Sequence, residues 1–300
     1  MEQAFSLHSY FFRSLPDCAA YRCMYALCMR IVRLLAIFFL TVTLTSTLSS
    51  QTKKKRLLCI GESKGWQHES VSHAFATIER LGYESGLWDT FIRTDCQLIT
   101  KKPLGGNAYN LDKFDAVAFY TTGELDMDDS QKADLLSFVH DDGKGFIGIH
   151  SAPDTFYKWP AYGEMLGAYF DQHPWMTFDA PVIVEDPDFP AMKPLAPAFT
   201  IHDEIYQLKD FSRDKCRVLA RLDPNKIDLA NPRVHRTDKD FAVAYAKTYG
   251  KGRVFYSTLG HTYETWDRSD IQRMWIEAIK WAMGMEPGDA TPRPLPASAQ

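Results

Sequence analysis

This chain of 300 residues has no excess of positive charge: 34 Lys and Arg stand against 38 Asp and Glu. A nucleic-acid binder needs a clustered basic surface to displace counterions from phosphates, so that class of partner is excluded. Closely spaced cysteines are missing as well. Beyond residue 50 only Cys59, Cys96 and Cys216 occur, an odd number without the spacing of a disulfide framework or a cysteine-based metal centre. Cys59 and Cys216 lie in apolar runs and read as small core residues. No apolar run reaches the roughly 20 residues of a membrane span. No HExxH sets two histidines one helical turn apart, and no internal repeat is visible.

The longest apolar stretch, Leu34 to Leu40, follows Arg30 and Arg33 and precedes Thr45-Ser46-Thr47-Leu48-Ser49-Ser50. A positive n-region, a short apolar h-region and small residues for cleavage are the parts of a secretory signal. The expectation is a signal peptide over Met29 to Ser50, with the true start at Met24 or Met29. Residues 1–50 are then a signal peptide and upstream extension, and the protein is exported to the periplasm or the extracellular space. An uncleaved anchor is the competing reading. Removing residues 1–50 takes away four basic and two acidic residues, which moves the formal net charge from −4 to −6 and leaves no stable membrane span. The rest suits one sizeable α/β domain over residues 51–286. Residues 287–300 hold four prolines and no apolar period, so a disordered tail is expected there.

Arg56 to Gly61, Asp115 to Tyr120 and Gly145 to His150 read as buried strands, because each is a short apolar run bounded by polar or glycine residues. Between them, Val71, Ala74, Phe75, Ile78 and Leu81 share a helical face. Asp128 with Gln131 three residues later predicts a capping box for a helix ending near His140. Strands alternating with helices imply right-handed crossovers and a parallel sheet. Further on, Pro181 to Asp186 and Arg217 to Leu222 read as strands. Phe241 to Tyr249 and Arg253 to Leu259 flank Gly250-Lys251-Gly252 as a late hairpin. Ser269 to Met283 closes the domain as a helix.

The most informative segment is Gly145 to Thr155, where an apolar strand ends abruptly in His150, Ser151 and Asp154. In open α/β sheets, ligands bind beyond the carboxyl ends of the strands. Three other strand exits also carry polar clusters: Lys64, Trp66, His68 and Glu69; Thr122 and Glu124; and His261, Tyr263, Glu264 and Trp266. Strands sharing one direction would bring these clusters into one crevice, with His68, His150 and His261 together and Asp154 beside an imidazole. His73 and His140 fall within helices, where a solvated role is ordinary. His202 and His235 receive no assignment.

At these residues the chain resembles the trehalose-utilisation (ThuA-like) family. The matching elements are Gly65-Trp66-Gln67-His68-Glu69-Ser70, Gly148 to Thr155, Gly167 to Pro174, Asp203-Glu204-Ile205-Tyr206 and Gly250 through Glu264. They run from about Lys55 to Gly284. The departures are an inserted loop near Lys101 to Asn110, and Trp66 where Phe is expected. The resemblance implies an α/β fold, flavodoxin-like or class I glutamine amidotransferase-like: a mostly parallel sheet with helices on both faces and a late β-hairpin. Amidotransferases place a nucleophilic Cys in a G-x-C-x-G elbow, whereas Gly148-Ile149-His150-Ser151-Ala152 has His150 there. Glutamine hydrolysis needs a thiolate, so that activity is not expected.

Three functions compete. The first is an enzyme acting on a sugar or sugar derivative, with His150, His68, His261 and Asp154 as acid/base groups. In a metal-assisted form, His150, His173 and His261 hold a divalent ion such as Zn²⁺, with Asp154, Glu204 or Glu264 as carboxylate partner. Trp66, Trp159, Tyr162, Trp175 and Trp266 either offer flat faces to a pyranose or belong to the core, and Glu124, Ser151, Glu204 and Glu264 are polar substrate contacts. The second function is a non-catalytic carbohydrate-binding or accessory protein, also with a small-molecule carbohydrate ligand. The third is a serine hydrolase through Ser151, which sits one residue too late for a G-x-S-x-G elbow. The sugar, the reaction, the cofactor and assembly into a homo-oligomer are left open by the sequence.

The signal-peptide expectation is checked by N-terminal sequencing of the exported protein from its native host. The mature chain should begin near Ser49 or Ser50. Residues preceding Met29 on the exported protein would refute it.

Overall fold

Leu57, Leu58, Cys59 and Ile60 are all fully buried, so the first strand is covered on both faces, as an uninterrupted apolar run requires. A computed structural model shows how. It describes residues 53–106 and 108–295 together with Arg22 and residues 24–34. The chain forms two units, Met1–Lys53 and Lys54–Gln300. In the first, the described residues are helical. Most of the expected signal peptide lies outside the described residues. Among those described, no helix is long and apolar enough to cross a membrane.

Among the described residues, the second unit contains eleven strands: β1 (Lys55–Ile60), β2 (Trp88–Arg93), β3 (Ala116–Phe119), β4 (Gly145–Ile149), β5 (Tyr169–Gln172), β6 (Thr177–Val184), β7 (Ala198–Glu204), β8 (Gln207–Lys209), β9 (Arg217–Leu222), β10 (Ala242–Tyr249) and β11 (Gly252–Ser257). Nine make one sheet in the order β2-β1-β3-β4-β11-β10-β9-β6-β7, and β5 pairs with β8 apart from it. Pairing is parallel from β2 through β11 and antiparallel beyond. Only β10 and β6 oppose the common direction. The carboxyl ends of β1, β3, β4, β11 and β7 therefore leave the sheet along one edge. The β2-β1-β3-β4 start is the flavodoxin-like order, and its switch point lies between β1 and β3.

Helices cover both faces. Helix Val71–Ser85 packs Phe75, Ile78 and Leu81 with Leu57 and Cys59, and helix Ser269–Ala282 adds Ile271, Met274, Trp275, Ala278 and Ile279 to the same layer. On the other face, helix Asp129–His140 and helix Pro160–Leu166 bring Leu135, Phe138, Tyr162 and Leu166 against Val117 and Phe146. The expected capping box is present: Gln131 N donates to Asp128 at 2.7 Å, and Asp128 N donates to Gln131 at 3.1 Å. The β10–β11 hairpin turns at Gly250, whose φ is +57°, and a Cβ there would come within 2.4 Å of His140 O. Only glycine fits that turn.

One sequence expectation needs correction. The strand expected over Pro181 to Asp186 starts earlier, at Thr177, and pairs with β7, which apolar runs did not reveal. In the tail, the described residues 287–295 form no helix or strand and make several contacts. Trp281 Nε1 donates to Gly288 O, Arg217 reaches Asp289, and Arg293 donates to Glu185 O at 2.7 Å. Residues 296–300 lie outside those described.

Candidate functional site

β4 sits in the middle of the sheet between β3 and β11, and its last turn is strained. His150 has φ +42°, a left-handed conformation uncommon for a residue with a side chain. The neighbouring strand fixes it: His150 N donates to Ser257 O at 2.8 Å, and Tyr256 OH donates to His150 O at 2.9 Å. The imidazole is fully buried. Its Nδ1 lies 2.6 Å from Thr258 O, and a carbonyl only accepts, so Nδ1 carries a proton. In the neutral ring Nε2 then keeps its lone pair.

That lone pair faces two further groups. His150 Nε2 is 3.1 Å from His261 Nδ1 and 3.5 Å from Glu204 Oε2, and His261 Nδ1 is 3.3 Å from the same oxygen. His261 arrives on the exit of β11, just after Gly260 at φ +123°. Glu204 ends β7. Asp203 holds both. Fully buried, its carboxylate accepts from Gly260 N at 2.7 Å, Thr262 N at 3.2 Å and Glu204 N at 3.0 Å. Burial raises the Asp203 pKa against the pull of His150 and these backbone donors.

His68, on the exit of β1, closes the group. Its ring stands nearly perpendicular to those of His150 and His261, with centroids 4.9 and 5.3 Å away. Its Nε2 is 3.3 Å from Tyr206 OH, while Nδ1 is buried without a hydrogen-bond partner. Each of His68, His150, Glu204 and His261 offers one donor atom within 4.8 Å of all the others. His173 touches only the outer edge, with Nδ1 3.5 Å from Glu204 Oε1. Burial, and then the neighbouring imidazoles, push the His68 pKa down to about 3. His261 is lowered for the same reasons. Burial alone would raise Glu204, but its contact with His150 and the imidazole charges lower it.

The chemistry of this set fits a divalent ion. Ligand atoms about 2.0–2.1 Å from a tetrahedral Zn²⁺ are roughly 3.3 Å from one another, and the three measured separations bracket that value. The Nδ1 bond from His150 to a backbone carbonyl is the outer support that metal-binding imidazoles ordinarily carry. His68 joins the cluster with a buried Nδ1 that has no hydrogen-bond partner among the described residues.

The structure redistributes the other expected residues. Asp154 does not support an imidazole; its Oδ1 accepts from Tyr157 OH at 2.7 Å, burial raises its pKa, and Glu204 takes the place beside the histidines. Ser151 is fully buried, donating to Thr121 O at 3.0 Å. Tyr162 is a core residue bonded to Ala152 O, and Trp159 packs against Phe156 and Tyr162. Trp266 stacks on Trp275 at 5.4 Å, and Trp175 packs against Phe178 and Phe241. Trp66 is 71% exposed, Glu264 is exposed on the short helix Tyr263–Asp267, and Glu124 accepts from Lys158 N at 3.1 Å. His173 is not among the four donors.

Asp203 and Tyr206 received no role from the sequence. The available signal was alternation in Phe199-Thr200-Ile201-His202-Asp203, which turns Ile201 and Asp203 inward; a buried acid on an apolar face asks for a partner.

A mostly parallel α/β sheet with histidines and a carboxylate at its carboxyl edge defines the class. The chain matches the ThuA (trehalose utilisation) family over residues 56–282 and belongs to it. Membership supports a sugar-related role. Among solved structures, a ThuA-like protein of Bacteroides uniformis superposes with a TM-score of 0.64 at 20% identity, covering 77% of this chain and 93% of that one. One from Parabacteroides merdae gives 0.60 at 14%, covering 82% and 94%. A cytoplasmic protein of Salmonella typhimurium gives 0.51 at 12%, covering 76% and 98%. These likenesses show the fold alone. No curated protein matches the sequence.

The lowered histidines predict acid sensitivity of the metal-free protein. Below about pH 6.5 the unfolded chain protonates imidazoles that the folded chain keeps neutral, so the unfolded state binds more protons. The stability held above that pH is lost as pH falls toward 3. On about 1.4 kcal/mol per pH unit, His68 alone costs roughly 2 kcal/mol between pH 7 and pH 5. Denaturant unfolding in chelator at both pH values checks this, and His68→Gln should flatten the difference.

Proposed function

We propose that the protein is an exported enzyme acting on a sugar or sugar derivative through a divalent metal of the zinc type. The observation carrying this reading is the triangle of His150 Nε2, His261 Nδ1 and Glu204 Oε2, with edges of 3.1, 3.3 and 3.5 Å. The sugar comes from the family's description, trehalose utilisation, and export from the arginines and apolar run preceding Ser50.

His150, His261 and Glu204 would hold the ion and leave its fourth position open to water or a sugar oxygen, with His68 in the same cluster. The metal supplies a Lewis acid able to polarise a sugar oxygen or lower the pKa of a bound water. The chain's own groups do the rest. Thr258 O fixes the His150 tautomer, and Asp203 fixes the spacing of Glu204 and His261. His173, part-exposed and in reach of Glu204 Oε1, is placed to move a proton between that carboxylate and solvent. Glutaminase chemistry is not part of the reading. Cys59, Cys96 and Cys216 are buried, burial pushes the Cys216 thiol up to about 11, and His150 stands at the elbow.

Titration of chelator-treated protein with Zn²⁺ or Co²⁺ tests the proposal. One equivalent should bind, and Glu204→Gln or His150→Ala should weaken it by roughly 100-fold or more, since losing a ligand outweighs losing its outer support. Glu204→Gln preserves shape, so its unfolding midpoint in chelator should stay near that of the parent. Stoichiometric metal binding unaltered by both variants, or none by the parent at micromolar concentrations, would remove the reading.

A further inference from the structure

Outside the histidine cluster, a cavity of about 420 Å³ opens beyond the carboxyl ends of β1 and β2, against the first turns of helix Val71–Ser85. This volume is in the range of small-molecule sites, about 300–1,000 Å³. Its floor is apolar, from Val71, Phe75 and Ile92. Its walls carry Gln67, Glu69, Ser72, Glu79 and Thr94. These five side chains make no hydrogen bond among the described residues, and Arg93 spends one guanidinium nitrogen on Ile92 O. His68 lines the cavity as well, and it is the residue shared with the donor cluster.

We propose that this cavity binds the neutral pyranose unit of the substrate, delivering it to the cluster across His68. The inference rests on the sugar-directed reading above and gives it a location that the sequence did not suggest. The chemistry is selective. Carboxylates are acceptor-only groups and match pairs of neighbouring hydroxyl donors, and a guanidinium matches hydroxyl acceptors. Serine, threonine and glutamine side chains do both. The apolar floor suits the C–H face of a pyranose ring. Two carboxylates against one guanidinium leave an excess of negative charge, which disfavours a phosphorylated sugar by like-charge repulsion. The position is at the carboxyl ends of β1 and β2, on the edge of the sheet where open α/β folds bind ligands.

The test uses the full chain and three probes, trehalose, glucose and glucose 6-phosphate, followed by calorimetry or ligand-observed NMR. Ala76→Trp fills the cavity from the exposed side of the helix, and Glu79→Leu removes one carboxylate. Trehalose or glucose should bind to the parent, and each variant should weaken that binding by about tenfold or more, with glucose 6-phosphate the weakest ligand throughout. Zn²⁺ titration of Ala76→Trp should match the parent. Sugar binding untouched by both variants, preference for the phosphorylated sugar, or no binding of either neutral sugar at millimolar concentrations overturns the inference. Failure of the metal titration with the sugar pattern intact would remove the metal reading and leave the cavity assignment standing.

Discussion

The carboxylate of Asp203 is the constraint on which the site depends. It lies fully buried at the end of β7, four positions from β11 in the sheet order. No salt bridge reaches it among the described residues; its bonds come mainly from backbone N–H groups of Gly260, Thr262 and Glu204. A buried charge is tolerated only when its oxygens are saturated in this way. The bonds clamp the β11 exit on either side of His261 and fix the root of Glu204 at the same time. Tyr206 N adds a bond to Thr258 Oγ1 at 2.9 Å. An edge-strand segment is thereby bound across the top of the sheet onto the loop beside His150.

Given that clamp, the electrostatics follow from burial. Three imidazoles with ring centroids 4.9 to 5.3 Å apart repel one another when charged, and His68 has little water to disperse a charge. For His68 and His261 each pressure favours the neutral ring with an available lone pair. Glu204 supplies the compensating negative charge, and its lowered pKa is the other side of the same interaction. Such a cluster is costly as a packing device, because His68 Nδ1 has no partner. As a ligand set it has an evident use.

The elbow after β4 shows how one fold carries different chemistry. The strained turn at His150 presents its side chain at the centre of the carboxyl edge, as a nucleophile elbow does. Here the side chain is an imidazole whose Nδ1 is committed to Thr258 O, and the nearest reactive partners are another imidazole and a carboxylate. The sheet determines where the chemistry sits, and the residue at the turn determines what kind it is.

Much of this was legible in the sequence. The parallel half of the sheet follows from apolar runs at Arg56, Asp115 and Gly145, and the convergence of His68, His150 and His261 follows from strands that share a direction. Local patterns encode both, because a buried strand must be apolar and must end in a polar turn. Glu204 and Asp203 were different. Their strand alternates polar with apolar residues and joins an antiparallel edge whose pairing depends on Thr177–Val184, a register that no local pattern specifies. Ser151, Trp159 and Tyr162 carry side chains suited to either a site or a core, and only packing decided for the core. Sequence alone thus determined the fold class and the three histidines, since periodicity and strand ends are local properties. Tertiary structure decided which carboxylate joins them, because that choice is made by contacts between segments distant along the chain.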